Sequence, residues 1–230
     1  MRTHVIVFTG LLLSAPVSRA ATPPPEKAVE QLVHAHHGLT ALSGKEVMET
    51  WEEVRRNPKP YIPFLKARVS LERLEVTQDL EQFRGILNSA HILILLGGNE
   101  EREFLVAQLK QLHQKRDELS TQVKRRAPSS GASLSPREEE SFRELVRHRG
   151  RVTQLENAIL RGFAEAGDPR LRDTVLPRLD HDKDMRDRYI EYFEATGRKD
   201  PVVRARLKKL LENPGSPVTE QHLQRFFEEK

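Results

Sequence analysis

No cysteine occurs among the 230 residues. That absence excludes disulfide staples, thiolate zinc sites, iron–sulfur clusters and a cysteine nucleophile, so packing alone must hold the chain together. Also missing are a Gly-rich phosphate loop, a His-Glu-x-x-His segment and a Gly-x-Ser-x-Gly segment. Their absence removes the usual signatures of nucleotide binding, zinc proteolysis and serine hydrolysis. Aromatic residues are scarce, with a single tryptophan at Trp51, and 37% hydrophobic content against 31% charged is a thin apolar supply for a compact sphere. An elongated helical shape suits that composition better.

Long apolar runs are almost absent too. The one exception is N-terminal: Met1 to His4 carries Arg2, Val5 to Val17 is mostly apolar, and Ser18-Arg19-Ala20 precedes Ala21. A basic start, a short apolar stretch and small residues at the exit predict an export signal cleaved after Ala20, since a spanning helix needs roughly 20 apolar residues. The mature chain is then expected to be periplasmic or secreted, without stable membrane insertion. Lys and Arg outnumber Asp and Glu by 38 to 34, and by 36 to 34 once Arg2 and Arg19 are removed. So even a balance does not by itself imply nucleic acid or another polyanion. The run Thr22-Pro23-Pro24-Pro25 lacks amide donors and reads as an extended spacer.

Beyond residue 25, apolar residues recur at steps of three and four while period-two alternation is nowhere sustained, which predicts an all-α body. The expected helices cover 26–37, 44–57, 61–70, 78–96, 100–125, 136–164, 169–180, 183–196, 201–212 and 217–229. Ser135-Pro136-Arg137-Glu138 is a capping box with proline at the first helical position. Gly38, Gly97, Gly167 and Gly197 suit helix ends. In the two longest helices, Leu105, Leu109, Leu112, Arg116, Leu119 and Val123, and then Leu145, His148, Val152, Leu155 and Ile159, alternate steps of four and three. They predict an antiparallel coiled-coil-like hairpin over 100–164 that projects from the body, with a flexible tip at 127–135. Two ordinary core helices joined by a long loop are the alternative, because Arg116 and His148 interrupt the seam.

An internal repeat organises the C-terminal part. Asp168-Pro169-Arg170-Leu171-Arg172 recurs as Asp200-Pro201-Val202-Val203-Arg204, a shift that also carries Val175 onto Leu207 and Leu179 onto Leu211. With Val175-Leu176-Pro177-Arg178-Leu179 in a first helix, Asp182-Lys183-Asp184-Met185-Arg186 opening a second and Thr196-Gly197 closing it, the chain resembles the HEAT-repeat family of α-solenoids. Tyr61-Ile62-Pro63-Phe64-Leu65, the helix 84–96 and Gly97-Gly98-Asn99 form a poorer earlier copy. The resemblance covers 58–100 and 168–212. Tyr189, Tyr192 and Phe193 stand where the family has small residues, and the 100–164 hairpin interrupts the array. The resemblance implies a right-handed stack of helical hairpins whose exposed face binds other proteins, with a scaffold role. The chain then divides into a signal peptide (1–20), a spacer (21–25), an N-terminal HEAT-like region (26–99), the long hairpin (100–164) and C-terminal repeats (165–230).

Candidate sites are few. His34 and His37, three apart on the expected helix, have a spacing that can hold a transition metal, although two ligands do not make a site and charge near the helix end explains them as well. Basic residues gather at Arg186, Arg198, Lys199, Arg204, Arg206 and Lys208, and Arg143, Arg147 and Arg151 form a stripe at steps of four. These nine are the candidate contacts for an acidic protein partner, a solvated helix face being the alternative. Trp51, with Val47 and Val54 at helical spacing, is expected in the core, and Phe226-Phe227 is expected to cap the stack. No catalytic residue, cofactor or metal is assigned. The expected function is an exported, non-enzymatic interaction scaffold. The alternatives are a coiled-coil structural or chaperone-like envelope protein, and a metal-binding protein or enzyme using His34 and His37.

Overall fold

A computed structural model describes residues 23–37, 41–42, 44–77, 79–128 and 134–228. The expected signal segment, Gly38 and most of the hairpin tip lie outside them. The described chain is built of helices: α1 (Pro25–Ala35), α2 (Lys45–Arg56), α3 (Ile62–Arg68), α4 (Leu71–Val76), α5 (Leu80–Leu96), α6 (Asn99–Arg126), α7 (Pro136–Glu165), α8 (Arg172–Val175), α9 (Arg186–Thr196), α10 (Pro201–Leu211) and α11 (Pro217–Phe227). Between α1 and α2, β1 (His36–His37) pairs antiparallel with β2 (Ala41–Leu42), His36 opposite Leu42. The first helix therefore stops at Ala35, before the residue pair that the sequence pattern placed inside it.

Helix starts follow side-chain chemistry. Asp79 accepts the Glu81 amide at 2.7 Å, Ser135 and Glu138 form the reciprocal capping box, and Ser216 accepts the Thr219 amide at 3.1 Å. In the two repeat copies, Asp168 accepts from Arg170, and Asp200 accepts from Val202 and Val203. The copies diverge after that shared start. Residues 169–180 break into a 3-10 turn, the single turn α8 and a second 3-10 stretch, whereas α10 is regular. Pro177 explains the break, because it removes an amide and crowds the preceding turn; its counterpart in α10 is Lys209. Helix α4, capped by Ser70, has no counterpart in the sequence reading.

The core is continuous rather than concentric. α1 and α3 pack on α5, α5 on α7, α7 on α9 and α9 on α11, while α6 runs along α7. The contacts Arg116 to Glu156, Ser120 to Arg149 and Arg126 to Ser141 pair rising numbers with falling ones, so α6 and α7 are antiparallel. Leu105, Leu109, Leu112, Arg116 and Leu119 are buried along α6, and Val152, Leu155 and Ile159 along α7. Outward of Leu119 and Val152 no described residue of either helix is buried. Only the outer part of the pair therefore stands free as an arm, and the inner part is the spine of the body. Val54 and Phe226 are buried, with Val47, Trp51 and Phe227 packed against the core.

Two glycines of α7 separate close approach from open space. A Cβ on Gly162 would lie 2.4 Å from Ile94 Cδ1 across the α5 contact, whereas one on Gly150 would meet nothing within 4 Å. Gly162→Leu should cost about 1–3 kcal/mol by overpacking. Gly150→Ala should add up to ~1 kcal/mol from helix propensity. Urea unfolding followed by helical circular dichroism checks both, and opposite signs are the expected result.

Candidate functional site

The nine basic candidates separate by burial. Arg186 is interior: its guanidinium donates to the carbonyls of Leu179 at 2.8 Å, Asp180 at 3.0 Å and Pro214 at 3.3 Å. Arg198 is similarly committed, donating to Glu194, Arg225, Phe226 and Glu228 carbonyls and so closing the ends of α9 and α11. Both hold the fold, Arg186 from the interior and Arg198 from a half-buried position. Arg206 pairs with Asp180, and Arg204 reaches the Arg198 carbonyl at 3.2 Å and lies over the Phe227 ring. Lys199, Arg204 and Lys208 are exposed, joined by Lys209. They leave a basic outer face on α10 and the turn before it.

The α7 stripe also splits. Arg143 bonds Glu139 on the solvent side, Arg147 is exposed, and Arg151 donates to the Thr77 carbonyl and sits over Phe83. Arg147 and Arg151 share the lining of a cleft of about 550 Å³ between the arm and the end of α4, together with Arg126, Glu144 and His148.

The histidine reading loses its geometry. His34 Nε2 lies 2.8 Å from Glu30 Oε1, and Arg68 pairs with the other oxygen of that carboxylate. Burial raises the Glu30 pKa, but the hydrogen bond from His34 and the charge of Arg68 outweigh it and hold the carboxyl below its ordinary value. His37 belongs to β1, not to the helix that carries His34, so the three-residue helical step does not exist. Among the described residues no cluster of three His, Asp or Glu side chains could hold a metal ion.

The densest chemistry lies where the seam is interrupted. Arg116, 3% exposed, donates through Nε to Glu156 at 2.6 Å and through its two terminal nitrogens to Asp182, one of which also meets the Tyr189 hydroxyl. Tyr189 donates to Asp182 at 2.6 Å, and Arg178 joins Asp182 to Asp117. Glu156 is fully buried, and its second oxygen has no hydrogen-bond partner. His113, 4% exposed, packs edge-on to Tyr189, and its Nε2 is likewise unpartnered.

These surroundings push the titrating groups apart. Burial raises the Glu156 carboxyl to about 8 against the opposing charge of Arg116. Burial also opposes the charged form of Asp182, but hydrogen bonds from Arg116 and Tyr189 prevail and lower it to about 2. Burial, with Arg178 and Arg116 nearby, lowers His113 to about 3, and burial with the Asp182 charge raises Tyr189. The cluster ties α6, α7, the 3-10 stretch after α8, and α9 together in a buried interior. Such an enclosed arrangement fixes helices against each other. No family model, curated protein or solved structure matches the chain.

Proposed function

We propose that this protein is an exported, non-enzymatic scaffold of the HEAT-like solenoid kind, which binds another protein along its helical stack. One observation carries the reading: α5, α7, α9 and α11 pack in chain order, with α3 beside α5, α6 beside α7, the 3-10 stretch 176–180 beside α9 and α10 beside α11. Pairs that touch only their neighbours leave an extended outer surface, which suits recognition of a second protein. The repeat supports it further, since Leu171 and Val203, and Val175 and Leu207, are fully buried at equivalent steps. Arg172 of the first copy pairs with the capping Asp200 of the second at 2.6 Å. The charge, apolar and small-residue pattern of residues 1–20 supports export of the mature chain.

The exposed Lys199, Arg204 and Lys208 give this surface a basic face for an acidic partner. Affinity capture with residues 21–230 from envelope and secreted fractions tests the reading, with Lys199→Glu/Arg204→Glu/Lys208→Glu as the control. A protein captured by the parent and not by the control is the expected result. No protein captured by the parent, or capture equal for parent and control, would overturn it. A second reading, a chaperone-like arm, is favoured by the free outer part of α6 and α7. Replacing 122–146 by a short linker separates the two, because the stack's buried residues lie outside that range.

A further inference from the structure

The cleft between the arm and α4, about 550 Å³, falls in the range that takes a small ligand or a few peptide side chains. Its lining mixes signs: Arg126, Arg147 and Arg151 against Glu75 and Glu144, with His148 between them in sequence. Glu75 is already neutralised by Lys115. Arg126 has the hydroxyl of Ser141 at 3.3 Å, and Arg147 engages no carboxylate among the described residues. His148 Nε2 is buried without a hydrogen-bond partner. Apolar groups accompany this charge, with Leu145 in the wall and Val76, 72% exposed, directly after Glu75.

We propose that this cleft binds a short acidic peptide segment of a protein partner, its carboxylates against Arg126 and Arg147 and an aliphatic side chain against Leu145. The proposal rests on the scaffold reading and narrows it to one site and one partner chemistry. Guanidinium forks match carboxylates in bidentate geometry, and two of the three are poorly occupied here. A continuous polyanion suits the cleft less, because Glu144 and Glu75 would oppose a uniform run of negative charge. A peptide can space its carboxylates to avoid them.

Selecting a displayed library of random peptides on residues 21–230 tests this. Enriched peptides should carry Asp or Glu beside Leu, Ile or Val. Synthetic copies should weaken about tenfold or more on Arg126→Glu/Arg147→Glu, which alters two exposed side chains. Thermal unfolding of that variant, unchanged from the parent, establishes that the fold is intact. The absence of an acidic consensus, or binding indifferent to the double variant, overturns the proposal. Loss on Lys199→Glu/Arg204→Glu/Lys208→Glu instead overturns the cleft while leaving the scaffold reading standing. Tighter binding of a single-stranded RNA oligonucleotide at the cleft also overturns it.

Discussion

Arg116→Met should cost about 3–5 kcal/mol, because removing one member of a buried ionic cluster leaves the others uncompensated. The loss falls unevenly. Asp182 keeps Arg178 at 3.2 Å and Tyr189 at 2.6 Å, whereas Glu156 loses the only partner of its bonded oxygen among the described residues. Above pH 8, where Glu156 is ionised, it is therefore the side chain that makes the single change expensive. Arg116→Met/Glu156→Met removes both charges from the α6–α7 contact and should recover most of the loss, since well-packed apolar replacements of buried ion pairs are often neutral or stabilising. Denaturant midpoints at about pH 9, where both groups are charged, for the two single variants and the double complete a cycle. A double variant as unstable as Arg116→Met would mean that Asp182, not Glu156, carries the cost.

Stability should follow pH in three stages, each traceable to one group. Glu156 has a raised folded pKa, about 8, so its contribution is full below the ordinary carboxylate range and is lost as pH rises through 8. His113 works the other way: its folded pKa is about 3, so below pH 6.5 the unfolded chain takes up a proton that the folded chain refuses. Stability from His113 then falls by up to about 1.4 kcal/mol per pH unit. Asp182, lowered to about 2, adds a further loss as pH drops below the ordinary Asp value of 3.8. The expected profile rises from pH 8 to 6.5, flattens while Glu156 and His113 oppose each other, and falls below about 4.5. His148, half-buried and lowered by burial and by Lys115, reinforces His113. His113→Phe keeps an aromatic ring against Tyr189 and removes the proton site. Its stability should keep rising through the flat region, and a profile identical to the parent would sink the assignment.

The joints of the fold were legible because Pro, Gly and capping Asp or Ser act locally. Asp168-Pro169, Asp200-Pro201 and Ser135-Pro136 each start a helix where the pattern placed one. What escaped was either short or distant. α4 is a six-residue helix, too brief for a period to register, and β1 and β2 hold two residues each. Arg116 stood out in the sequence as a break in the apolar seam. Its partners Glu156, Asp182 and Tyr189 lie 40, 66 and 73 residues away, and no local pattern joins them. The basic cluster divides for a related reason. A count of charges treats Arg186 and Arg198 like Lys208, but the fold delivers loop and helix-end carbonyls to the first two and water to the third.

The succession of α5, α7, α9 and α11 also acts as a ruler. Packed helices lie about 8–10 Å apart, so the outermost axes of four are separated by at most roughly 24–30 Å. An extended chain advances about 3.3 Å per residue, and a segment crossing the whole series would need at most about seven to nine residues. Each helix would meet that segment at every second or third side chain, giving the spacing at which a binding sequence could be read.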